Sequence, residues 1–144
     1  MVTHDTIELL KECDAGVKMG IHAIDEVKDR IEDQKLKTIL DNSRKEHVEL
    51  EMEIGEKLRE YGEAEKEPSI IASSMSWLKT NMKMSMNASD NTASDLITDG
   101  CNMGVKSLNR YLNQYEAAEE KVKDITKRLI NLEEKLAIDI RQYL

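Results

Sequence analysis

The pattern Cys-x-x-Gly-Val-Lys is written twice in this chain, once from Cys13 to Lys18 and again from Cys101 to Lys106. The chain has only these two cysteines, so each of them heads one occurrence. Aligning the two at an offset of 88 residues sets Leu9 on Ile97, Gly16 on Gly104, Val17 on Val105 and Ile24 on Leu112. Apolar residues fall on apolar residues, at the threes and fours that build one face of a helix. A repeat that keeps helical phase as well as residue identity calls for two similar helices in similar surroundings.

The rest of the chain supplies those surroundings. An apolar stripe runs through Ile7, Leu10, Val17, Ile21, Ile24 and Ile31, and Asp5 with Glu8 has the spacing of a capping box at its start. A second stripe, Leu36, Leu40, Ser43, His47, Leu50, Ile54, Leu58 and Tyr61, is out of phase with the first by one residue. That slip predicts a turn near Glu32 to Gln34, with Asp33 capping the second helix and Gly62 ending it. Pro68 can open a short helix with Ile71, Met75, Leu78 and Met82 on one face and Trp77 as an anchor. Thr92 with Asp95 is placed to start the next long helix, whose stripe is Ile97, Cys101, Gly104, Leu108, Tyr111 and Tyr115.

The stripe then continues through Ala118, Val122, Ile125, Leu129, Leu132 and Leu136 to Tyr143 with no Gly or Pro to interrupt it. The repeat alone predicts a turn there, at about Glu119 to Val122. Without that turn the last two helices would fuse into one rod, and the chain would form an extended or exchanged dimer.

Charged residues make up 35% of the chain, with one Pro and no Phe, a vocabulary suited to helices. The length of 144 residues fits one domain, 1–144. The expected fold is all-α: hairpin 1 over about 5–61, a long crossover with a short helix over about 62–91, and hairpin 2 over about 92–144, closing a four-helix bundle. A mid-helix Gly costs about 1 kcal/mol against Ala, so Gly16 and Gly104 are expected to face each other where backbones approach closely. The cysteines are expected as small buried hydrophobes with reduced thiols.

A net charge of −8 speaks against a nucleic-acid partner. The opening MVTHDTIELLKE lacks a signal-peptide apolar block, and no run approaches the roughly 20 apolar residues of a membrane span. A soluble cytoplasmic protein with no membrane partner is expected, with a homodimer or other homo-oligomer as its assembly.

The segments ELLKECDAGVKMGIHAI and DLITDGCNMGVKSLNRY as matched first helices, LKTILDNSRKEHVELEMEIGEKLREYG as the second, and WLKTNM in the crossover together resemble the ferritin-like superfamily. Within it, the chain is similar to a bacterial four-helix-bundle group catalogued as a domain of unknown function. The resemblance covers nearly the whole chain and implies the bundle fold, without implying a settled activity.

Metal-binding bundles of that kind place Glu residues inward from all four helices, with Glu-x-x-His on two of them. The residues three before His4, His22 and His47 are Met1, Met19 and Arg44, so that pair is absent. His47 lies mid-stripe, a helical turn after Ser43 and a turn before Glu51. It is read first as a structural residue bonded to Ser43, Glu51 or a cysteine. As a ligand it could join Glu46 and the flanking carboxylates Asp14 and Glu133, which are expected on the flanks of their stripes. The methionines of MSWLKTNMKMSM invite a copper reading, but Met82 and Met84 fall on different helix faces, so packing is preferred. No phosphate loop, Cys-x-x-Cys or nucleophile elbow occurs. The expectation is a non-catalytic interaction or structural protein without a cofactor. The alternative is a di-metal oxidase or metal-storage protein holding iron, manganese or another divalent metal in an irregular ligand set.

Overall fold

A computed structural model of the chain describes residues 3–64 and 89–144. Within them lie four α-helices and no strand: α1 (His4–Lys28), α2 (Gln34–Glu60), α3 (Asp90–Gln114) and α4 (Glu120–Ile140), followed by a 3-10 turn at Arg141–Tyr143. The helix expected from Pro68, with its apolar face and Trp77, falls outside the described residues.

Side chains with a short reach cap three of the four helix starts, α4 having no side-chain cap. Asp33 accepts from the Leu36 amide at 2.9 Å, as the sequence predicts for α2. The next two caps differ from expectation. Thr3, and not Asp5, caps α1 by accepting from Thr6 N at 3.1 Å. Ser89, and not Thr92, caps α3 by accepting from Thr92 N at 3.3 Å. Gly62 follows α2 with φ +70, a conformation that favours glycine and stops the helix.

The apolar seam that runs unbroken in sequence is broken in space. α3 ends at Gln114 and α4 begins at Glu120, so the last two helices form a hairpin and not a rod. Tyr115 N closes on Tyr111 O at 2.8 Å, Ala118 N on Tyr115 O at 3.2 Å, and Val122 N on Glu119 O at 3.1 Å. The turn thus uses neither Gly nor Pro and ends just where the repeat would have it begin.

α1 packs on α2, α2 on α4, α4 on α3 and α3 on α1, and α1 also touches α4 across the middle. Each hairpin's turn is held by the opening turn of the other hairpin. At one end the amides of Glu32 and Asp33 donate to the Asp90 carboxylate at 2.8 and 3.0 Å. At the other, Ala117 N donates to Asp5 at 2.9 Å and Glu119 N donates to Thr6 Oγ1 at 2.9 Å. α3 therefore begins where α1 ends and runs antiparallel to it.

The core divides into two apolar clusters. One gathers Leu9 and Cys13 of α1, Leu50, Ile54 and Leu58 of α2, and Ile125 and Leu129 of α4. The other gathers Ile24, Leu36, Leu40, Ile97, Cys101 and Ile140. Full burial of a Leu or Ile side chain stabilises by about 1.5–3 kcal/mol, so these two clusters hold the bundle closed. On the outside, Arg44 grips Asp25 at 2.6 and 3.1 Å and Arg128 grips Glu53 at 2.6 and 2.9 Å, fixing α2 against α1 and α4. No helix among the described residues is long and apolar enough to cross a membrane.

Candidate functional site

Between the two clusters a polar pair interrupts the core. His47 of α2 is fully buried, and Glu133 of α4 is 7% exposed. His47 occupies a stripe position of α2 between Ser43 and Leu50, and Glu133 sits four residues after Leu129 and three before Leu136, on the inward face of α4. The His47 Nε2 and Glu133 Oε1 atoms are 2.8 Å apart, and Nδ1 lies 2.7 Å from Ser43 O. Both ring nitrogens thus face acceptors, the arrangement of an imidazolium donating to a carboxylate on one side and to a carbonyl on the other. Burial opposes the charge, but the Glu133 carboxylate and the Ser43 carbonyl outweigh it, so the His47 pKa is raised above its ordinary value.

Gly20 of α1 makes room for this pair. A Cβ there would stand 2.7 Å from the His47 ring and 3.2 Å from Glu133 Oε1. Gly16 and Gly104 both border the space between α1 and α3, but the close backbone approach expected there is not what the structure holds. A Cβ on Gly16 would meet Leu129 at 3.6 Å and Leu108 at 4.0 Å, and the nearest atoms to one on Gly104 belong to Glu133, at 3.8–3.9 Å. Both are ordinary contacts, so these glycines are not forced by close backbones. They open onto a cleft between α1 and α3 of about 410 Å³, with His47, Glu133 and Cys101 among its lining.

Both thiols are buried, which disfavours the thiolate. Burial pushes Cys13 up to about 12, and its Sγ lies 3.1 Å from Thr126 Oγ1, which itself donates to Val122 O at 2.8 Å. Burial and the neighbouring Glu133 push Cys101 up as well.

Of the four candidate ligands, the structure brings His47 and Glu133 together and leaves the others apart. Glu133 and Asp14 are expected on the flanks of their stripes, and the structure buries both instead. Asp14 pairs with Lys18 on its own helix at 3.0 Å. Glu46 is exposed on α2 and lies 3.7 Å from Lys135 of α4. Among the described residues no group of three or more His, Cys, Asp or Glu side chains is placed to hold a metal ion. Sequence reasoning misses Gly20, although its spacing of four from Gly16 and from Ile24 puts it on the inward face of α1. No protein-family model matches the chain, and no curated protein or solved structure matches it significantly.

Proposed function

We propose that the chain is a ferritin-like four-helix bundle, made of two copied helical hairpins joined by a long crossover, that works without catalysis as an interaction or structural protein of the cytoplasm. The carrying observation is that His47 and Glu133 are committed to each other. An imidazole ligates a metal through a ring lone pair, and both His47 nitrogens are directed at oxygen acceptors. The di-metal alternative with iron or manganese would also need Glu46 and Asp14 to converge on that pair, whereas each is turned to a lysine. The two thiols lack the thiolate character a nucleophile needs.

Two features support the copied-hairpin reading. α1 and α3 have the same length, 25 residues. Asp5 and Asp90, each in the first turn of its helix, tie down the turn of the opposite hairpin. The directions of the helices support the crossover, since α2 ends beside the start of α1, where Glu63 meets Lys11 at 3.2 Å, and α3 begins at the far end beside Glu32. Self-association as a homodimer belongs to the same reading, with exposed Met52, Met103, Ile138 and Leu144 as apolar surface available for contact.

The test is metal retention. Protein loaded with iron, manganese or zinc and then desalted is expected to keep no stoichiometric metal. Tightly held metal that is lost in His47→Ala would overturn the reading in favour of the di-metal alternative.

A further inference from the structure

The cleft between α1 and α3 has the volume and chemistry of a ligand site. Small-molecule sites span roughly 300–1,000 Å³ and are mostly apolar with a few placed polar groups. This one, at about 410 Å³, is walled by residues such as Met19, Ile24, Leu96, Ile97 and Leu108. It widens because Gly16, Gly20, Gly100 and Gly104 present no side chain to it, and a Cβ on Gly100 would meet nothing within 4 Å. Glu133, 7% exposed, is aimed at it: Oε1 takes the His47 bond, and Oε2 lies nearest the Cβ position of Gly104, at 3.8 Å. A carboxylate accepts at about four lone-pair sites, so the bond to the imidazole leaves it able to accept more.

Charge selects the occupant. Among the described residues of the lining, Glu133 is the carboxylate aimed into the cleft and no lysine or arginine occurs. Both His47 ring nitrogens are already matched to oxygen atoms of the protein. An anionic head would meet like charge, while an ammonium would meet an acceptor. We propose that this cleft binds a small apolar amine, its ammonium on Oε2 of Glu133 and its hydrocarbon body along Gly16, Met19, Ile97 and Leu108.

The experiment is calorimetry on the full chain with dodecylamine, dodecanol and dodecanoate, each below its aggregation threshold. A charge-assisted hydrogen bond at a buried site predicts that the amine binds saturably at least about tenfold tighter than dodecanoate. Glu133→Gln lowers the amine to the affinity of the alcohol. Gly104→Leu fills the cleft and abolishes binding of all three, with helical circular dichroism retained, and this variant decides the matter even where Glu133→Gln fails to fold. Dodecanoate binding as tightly as the amine, Gly104→Leu binding like the parent, or no saturable binding by any of the three would overturn the proposal. None of these outcomes alters metal retention, so the non-catalytic reading stands or falls separately.

Discussion

The Cys13 thiol rests 3.1 Å from Thr126 Oγ1 inside the first apolar cluster, whereas the Cys101 thiol lies against the Glu133 carboxylate at the floor of a cleft. Four residues beyond Cys13, Val17 is fully buried; four beyond Cys101, Val105 is only half-buried. The glycines diverge in the same way, Gly16 under Leu129 and Leu108 and Gly104 beside Glu133. One six-residue pattern is thus read in two environments. The pattern specifies a helix with a small inward face, and what fills the space before that face is decided by α2 and α4. On the Cys13 side that is hydrocarbon, and on the Cys101 side it is an ion pair.

That contrast predicts where substitutions will hurt. Removing one partner of a buried pair leaves the other uncompensated, so Glu133→Ala or His47→Ala is expected to cost about 3–5 kcal/mol in denaturant unfolding. Replacing both together with leucines should recover most of that loss if the pair serves packing alone.

Next in size is a glycine series that changes sign along the cleft. Gly20→Ala drives a methyl to 2.7 Å from a ring held on both sides, and about 1–3 kcal/mol of overpacking cost is expected. Gly16→Ala and Gly104→Ala meet ordinary contacts and should stabilise by up to about 1 kcal/mol through helix propensity. If all three destabilise alike, the cleft is narrower than described.

The pH dependence is expected to be smaller. His47 has a folded pKa raised above its ordinary 6.5, so its contribution to stability is fully present below about pH 6.5 and is lost as pH rises through the higher folded value. A parent chain that loses stability over that window beside a flat His47→Gln variant would assign the effect to this pair. Smallest is Asp90→Ala, which removes the acceptor for Glu32 N and Asp33 N and should cost about 1 kcal/mol, with Asp5→Ala close to it.

Much of the bundle is legible because apolar spacing records which face of a helix is covered. The stripes of α1 and α2, the slip between them and the Asp33 cap all follow from it. Spacing cannot reveal the break after Gln114, because Tyr115, Ala118 and Val122 keep the three-four rhythm through a turn; only the repeat exposes it. The caps at Thr3 and Ser89 escape the sequence because Asp5 and Thr92 also suit the role, and Asp5 is instead committed to Ala117 across the bundle. Glu133 is misplaced because a stripe drawn through Leu129, Leu132 and Leu136 leaves it out, although it fits the same spacing as Leu132. Leu132 is the one that sits half-buried, and Glu133 the one turned inward. A carboxylate on that face is tolerated because His47 waits opposite, and no pattern within α4 carries that information.

The reciprocal ties at the two ends of the molecule bear on its cooperativity. The amides of each turn find their acceptors on the opposite hairpin, so neither half can peel away without undoing its neighbour's corner. Melting followed by tyrosine fluorescence and by helical circular dichroism should therefore trace a single all-or-none transition.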